Sequence, residues 1–186
     1  MHLDHMLEFN KKFVENKSYE PYSTDTYPNK RMVVFTCMDS RLLELLPKAL
    51  DIKNGDVKMV RNAGAIIRNP FDSAMKSLLV AIYKLKADEV VVIGHHDCGM
   101  SHVDTQELKN VMIERGIKEE TIDVLFNDGI DLNEEFDGFE TVEESVSQSV
   151  NLVRNHPLLP EEIKVHGLVI HPDTGKVDVV TRDERK

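Results

Sequence analysis

The chain predicts an α/β fold: a mostly parallel central sheet flanked by helices, with an antiparallel edge strand at the C-terminal end and a helical arm at the N-terminal end. Three observations carry this. Short runs such as Met32 to Thr36 and Glu89 to Gly94 are β-branched and apolar on both faces, as strands covered on both sides require. Segments of helical period fall between them, which makes βαβ units. Past Pro172, the Asp173-Thr174-Gly175 turn and the alternating Val177 and Val179 form a closing hairpin.

Taken in order, Leu3 to Val14 carries Leu3, Met6, Leu7, Phe13 and Val14 at mostly helical spacing, an amphipathic helix with one apolar face. Periodicity identifies that face but not its partner, which is either the chain's own core or a neighbouring subunit. Residues 17–30 hold Pro21, Pro28, three tyrosines and several Ser and Thr, and read as an extended connector. Strands follow at Met32 to Thr36, Val57 to Val60, Glu89 to Gly94 and Val165 to Ile170. Between the second and third lies a helix, Asp72 to Leu85, with Leu78, Leu79, Ile82 and Leu85 on one side. Before the fourth lies another, Thr141 to Arg154, which carries Val142, Val146, Val150 and Val153 and has Thr141 and Glu144 in a capping-box pattern. The acidic, weakly helical stretch 104–139 reads as an excursion over one face. Residues 1–30 are thus an arm, and 31–186 the domain proper.

A chain of 186 residues buries enough surface to fold without disulfides or a structural metal. Its 23 Lys and Arg against 33 Asp and Glu give a net charge of −10, with no basic block. Counterion release needs clustered positive charge, so nucleic acid and anionic membranes are poor partners. The longest apolar runs, around Leu78 to Tyr83 and Val90 to Ile93, are too short to cross a bilayer, and no secretion signal opens the chain. A cytoplasmic location follows, in which the two cysteines are thiols or metal ligands.

In an open α/β sheet, ligands bind beyond the carboxyl ends of the strands. The first strand runs into Cys37-Met38-Asp39-Ser40-Arg41, and the third into His95-His96-Asp97-Cys98-Gly99. Both cysteines are spent there. Cys, His and Cys make a soft tetrahedral set suited to one Zn²⁺ per chain, with one corner open as in catalytic sites. His96 competes with His95 as a ligand, but strand alternation sends the two side chains to opposite faces, and the His-x-x-Cys register favours His95. A rival pair is Cys98 with His102, four residues apart on a helix. Asp97 reads as a turn acid, and the remaining histidines as surface or packing residues.

Cys37-x-Asp39-Ser40-Arg41, Arg61-Asn62-Ala63-Gly64 and His95-x-x-Cys98, in that order, resemble the motifs of the β-class carbonic anhydrases, nearest their compact microbial branch. The resemblance implies zinc held by Cys37, His95 and Cys98, with Asp39 and Arg41 as the catalytic pair. It also implies reversible hydration of carbon dioxide to bicarbonate by zinc-bound hydroxide, and a homodimer or higher even oligomer whose N-terminal helices cross to the neighbour.

The residues give that chemistry a physical sense. Two thiolates cancel the ion's charge, so this zinc acidifies water less than a three-histidine site and needs help. Asp39 can orient the nucleophile by accepting its hydrogen bond, or can coordinate the metal as a fourth ligand and close the site. The Arg41 fork, gripping the carboxylate bidentately, selects the first role. Ala63, Ala65 and Ile66 are expected to line a small apolar space, and Gly64 and Gly99 to let backbone approach it. Two other readings share these residues: a hydrolase of carbonyl sulfide or carbon disulfide on the same zinc, and a non-catalytic zinc-binding domain with Asp39 as permanent ligand.

Overall fold

A computed structural model describes residues 1–185. Five strands form one sheet in the order β2-β1-β3-β4-β5: β1 (Met32–Cys37), β2 (Val57–Asn62), β3 (Glu89–His95), β4 (Lys164–Ile170) and β5 (Val177–Thr181). The first four run parallel and β5 pairs antiparallel with β4, as the sequence predicts. The turn into β5 places Gly175 at φ +71, a left-handed conformation that glycine adopts without a side-chain penalty.

Strand alternation divides the core into two layers. Val33, Phe35, Val90, Val92 and Val165 face α3 (Ser73–Tyr83) and α7 (Val142–Arg154), where Met75, Leu78, Val146 and Val150 are fully buried. Val34, Val91, Ile93 and Ile170 face the opposite way, onto Leu42 and Leu46. The helix α7 lies close against the sheet because β3 has glycine beneath it. A Cβ at Gly94 would stand 2.6 Å from Val142 Cγ2 and 2.7 Å from Val146 Cγ2. Both helices begin as their sequences direct. Asp72 caps α3 by accepting from Met75 N at 2.7 Å, and Thr141 Oγ1 accepts from Glu144 N while donating to the Glu144 carboxylate.

Two elements differ from expectation. The sequence pattern names no helix between the first two strands, yet α2 (Leu42–Ala49) fills that crossover and buries Leu42 and Leu46 one turn apart. Eight residues are too few to display a period, and Pro47 reads as a stop although it is accommodated within the last turn. The connector after α1 (His2–Glu15) contains a short 3-10 turn, Glu20–Tyr22, with Pro21 near its start. The excursion 104–139 is helical, as its sequence suggests, and comprises α4 (Thr105–Glu114), α5 (Glu119–Asn127) and α6 (Leu132–Phe136), none with a buried residue. Arg68 ties it down, donating to the carbonyls of Glu134 and Asp137.

Candidate metal centre

The pairing of β1 with β3 fixes where the chemistry sits. Thr36 lies beside Ile93, so Cys37, the last residue of β1, ends level with the end of β3, where His95 closes the strand and Cys98 follows in the loop. The three side chains converge. Their donor atoms lie within 4.8 Å of one another, the sulfurs are 3.9 Å apart, and all three residues are buried.

This trio fits a zinc ion. Thiolates about 2.3 Å from a tetrahedral zinc lie roughly 3.8 Å apart, close to the spacing found. His95 Nδ1 is 2.8 Å from the His96 carbonyl, which can only accept, so Nδ1 carries the proton and Nε2 is left as a donor atom for a metal. Nε2 is buried and has no hydrogen-bond partner. Such a nitrogen is costly unless something coordinates it.

The electrostatics agree. Cys37 is lowered to about 4, chiefly by the hydrogen bond from Cys98, against burial, and with help from His95 and the backbone N–H groups of Asp39 and Gly64. The Cys98 thiol is pushed up by Cys37 and by burial, so the pair carries one negative sulfur between them. Burial opposes a charged His95, but the adjacent thiolate, the His96 carbonyl and Asp39 outweigh it and raise its pKa. Negative charge thus accumulates in a buried place, which suits a bound cation.

Asp39 stands beside this centre without joining it. Its Oδ2 is 3.7 Å from His95 Nε2. Arg41 holds the carboxylate along its edge: Nε is 3.1 Å from Oδ1, Nη2 is 2.8 Å from Oδ2, and the Arg41 backbone N–H adds 2.8 Å to Oδ1. The guanidinium accordingly holds the Asp39 carboxyl at about 2, below the usual carboxylate range. The same guanidinium reaches across to Asp97, with Nη1 2.8 Å from Oδ2 and Nη2 2.8 Å from the carbonyl. Sequence reading missed that second grip.

In the third motif, Arg61 and Asn62 bond only to backbone. Arg61 donates to the Leu42 carbonyl, and Asn62 brackets Ile66 with both ends of its amide. Gly64 has a larger part: at φ +77 it donates its N–H to Cys37 Sγ at 3.4 Å. Gly99 has open space where a Cβ would stand, and no close approach depends on it. The apolar space is divided. Ala63 and Ile66 line a cleft of about 450 Å³ together with Met100 and Phe136, whereas Ala65 is buried. A smaller cavity of about 250 Å³ is lined by His95, Asp97, Cys98, Phe139 and Glu140 among others. The rival pairing fails, because residues 98–102 are not helical; His102 sits at φ +55 with its N–H on the Phe139 carbonyl. Among the described residues no helix is long and apolar enough to cross a membrane.

Residues 32–177 match the family described as carbonic anhydrase. A Bacillus subtilis (strain 168) protein named "Putative carbonic anhydrase YvdA" is 54% identical over 96% of this chain and 90% of its own. A carbon disulfide hydrolase from Acidianus sp. (strain A1-3) is 30% identical over 80% of this chain and 76% of its own. The crystal structure of β-carbonic anhydrase isoform I from Trichomonas vaginalis superposes with a TM-score of 0.87 at 35% identity, covering 98% of each chain. On the family match over residues 32–177, the 54% identity to the Bacillus subtilis protein and the superposition on the Trichomonas vaginalis enzyme, the chain belongs to the β-carbonic anhydrase family.

Proposed function

We propose that Cys37, His95 and Cys98 hold the zinc with which this enzyme interconverts carbon dioxide and bicarbonate, and that Asp39 and Arg41 are its catalytic pair. The observation that carries the assignment is the buried, unpartnered His95 Nε2 facing two sulfurs 3.9 Å apart. When bound, zinc acidifies a coordinated water and so supplies a nucleophile near neutral pH.

The protein's own groups do the rest. The His96 carbonyl fixes the tautomer and plane of the His95 ring. The hydrogen bond from Cys98, helped by the Gly64 N–H, keeps the Cys37 sulfur ionised in spite of its burial. Asp39, ionised across the working pH range, accepts a hydrogen bond from the attacking O–H and so directs its lone pair toward the substrate. Arg41 prevents the alternative. Three of its N–H groups already lie on the Asp39 carboxylate, and breaking them is what coordination of Asp39 to the metal would cost. That grip also speaks against a permanent fourth ligand and a non-catalytic site.

The experiment is zinc content together with stopped-flow carbon dioxide hydration, for the wild type and Asp39→Ala. One zinc per chain in both, with the rate reduced at least tenfold in the variant, is the expected result. Equal rates would remove Asp39 from the mechanism, and zinc retained after Cys98→Ser with unchanged affinity would remove the ligand assignment. A sulfide-release assay on carbon disulfide, run beside it, separates the activity of the 30% relative from hydration.

Residues 1–30 are read as a dimerisation arm. Helix α1 buries none of its residues, and Leu3, Met6, Leu7 and Phe9 are all more than half exposed, so its apolar face has not docked on its own domain. A second copy of the chain supplies the missing cover. The reduced cysteines, both committed to the metal trio, suit a cytoplasmic setting.

A further inference from the structure

We propose that Asp97 is a positioning residue: it grips Arg41 from the side opposite Asp39 and thereby keeps the Asp39 carboxylate off the open corner of the metal centre. The proposal rests on the Asp39–Arg41 pairing proposed above, and goes beyond it by asking what holds the arginine.

Arg41 has a planar fork of five N–H donors. Asp39 occupies the edge formed by Nε and Nη2. Asp97 occupies the other, its Oδ2 on Nη1 and its carbonyl on Nη2, each at 2.8 Å. A guanidinium engaged on one edge only can pivot about its long stem, whereas one engaged on both edges cannot turn without breaking contacts on each. The two grips come from different parts of the fold. Asp39 follows β1, and Asp97 lies between the ligands His95 and Cys98 after β3, so the arginine joins the two loops that make the site.

The backbone at Asp97 supports this. Its φ is +53, in the left-handed region that few residues besides glycine, asparagine and aspartate enter, and in that conformation its carbonyl meets Nη2. A turn that merely reversed the chain would be served as well by glycine. The carboxylate itself is 84% exposed, and its hydrogen-bond partner is Arg41. An ion pair that exposed adds little to folding. Its effect is instead on a partition, in which Asp39 is either held by Arg41 or free to move 3.7 Å or less toward the position His95 Nε2 faces. A contact of this strength changes such a partition about two- to fivefold.

The test uses Asp97→Asn and Asp97→Gly, both of which accept the left-handed backbone, so folding is preserved. In nitrogen-15 spectra of the zinc-free protein, hydrogen exchange of the Arg41 Nη groups should accelerate about two- to fivefold in Asp97→Gly and less in Asp97→Asn, which retains an acceptor oxygen. In cobalt-substituted protein at a single pH of 8, the visible spectrum should move in the same order toward the one given by Arg41→Ala. Zinc affinity should stay within threefold. If Arg41→Ala shifts the cobalt spectrum and Asp97→Gly does not, the role of Asp97 is refuted while the Asp39–Arg41 gate stands. If neither shifts it, the gate itself falls. Zinc affinity lost without any spectral change would make Asp97 a shaper of the ligand loop, which also overturns the proposal.

Discussion

Replacing Gly64 by alanine tests whether the third motif serves the metal or only the fold. The added methyl would stand on a backbone with φ +77 and ψ −1, which costs an L residue about 1–2 kcal/mol. It would also lie 2.9 Å from Ile66 Cδ1 and 3.0 Å from Met100 Cβ. The isoleucine tip can turn aside, but a Cβ cannot, so part of the overpacking cost of about 1–3 kcal/mol remains. Unfolding of the zinc-free protein in urea should therefore lose about 2–3 kcal/mol. The second consequence is specific to the site. Relief of the clash moves the backbone N–H away from Cys37 Sγ, its acceptor at 3.4 Å, and loss of such an outer contact weakens metal binding about 10- to 100-fold. Each tenfold removes about 1.4 kcal/mol from the stabilisation that added zinc confers. Chelator competition and the difference between zinc-loaded and zinc-free unfolding report it independently. A variant that loses the expected stability but binds zinc within threefold of wild type would refute the argument, and Gly64 would then be a packing residue alone.

Other perturbations address the scaffold. Gly94→Ala should cost about 2 kcal/mol by pushing α7 off the sheet, lowering Tm by roughly 4–8 °C, and Val142→Ala should recover part of that loss because Val142 Cγ2 meets the new methyl first. Asp183, a buried residue of the C-terminal tail, accepts from Val165 N and from Arg185, and the arginine depresses its pKa well below that of an unfolded carboxyl. A depressed folded value means that its contribution is complete above about pH 4 and is lost as pH falls through the lower folded value. Asp183→Asn should lose about 2 kcal/mol at pH 7, and the difference from wild type should shrink below pH 4 in urea titrations. Deleting residues 1–28 should yield monomers or insoluble protein in sedimentation experiments, and an unaltered dimer of full activity would contradict the crossing arm.

What the sequence made legible followed from how local each signal is. The strands declared themselves because a covered parallel sheet needs apolar residues on both faces, and few other structures tolerate runs such as Val90 to Ile93. The proposed ligand trio could be read because only two cysteines exist and both fall at or just past strand ends, where the fold class already places ligands. Helix α2 could not, since its eight residues show burial only at Leu42 and Leu46 and the proline inside it argues the other way. The apolar face of α1 was legible, but which surface covers it was not, because a pattern of exposed leucine and phenylalanine contains no information about its complement.

The reading of Asp97 as a turn acid shows where local reasoning stops for a different cause. Its identity and neighbours are those of any loop acid, and it is as exposed as most of them. What distinguishes it is a partner 56 residues earlier in the chain, reached only because β1 and β3 are neighbours in the sheet and because a left-handed residue presents its carbonyl and carboxylate to one guanidinium. Metal ligands can be inferred from residue type and spacing since the ion restricts both. The residues that hold those ligands and their helpers in place are restricted only by where the folded backbone brings them. A pattern search along the chain therefore finds Cys37, His95 and Cys98, extends to Asp39 and Arg41 because they are two and four residues from a ligand, and ends there. Asp97 becomes visible only when the two loops are seen to share one arginine.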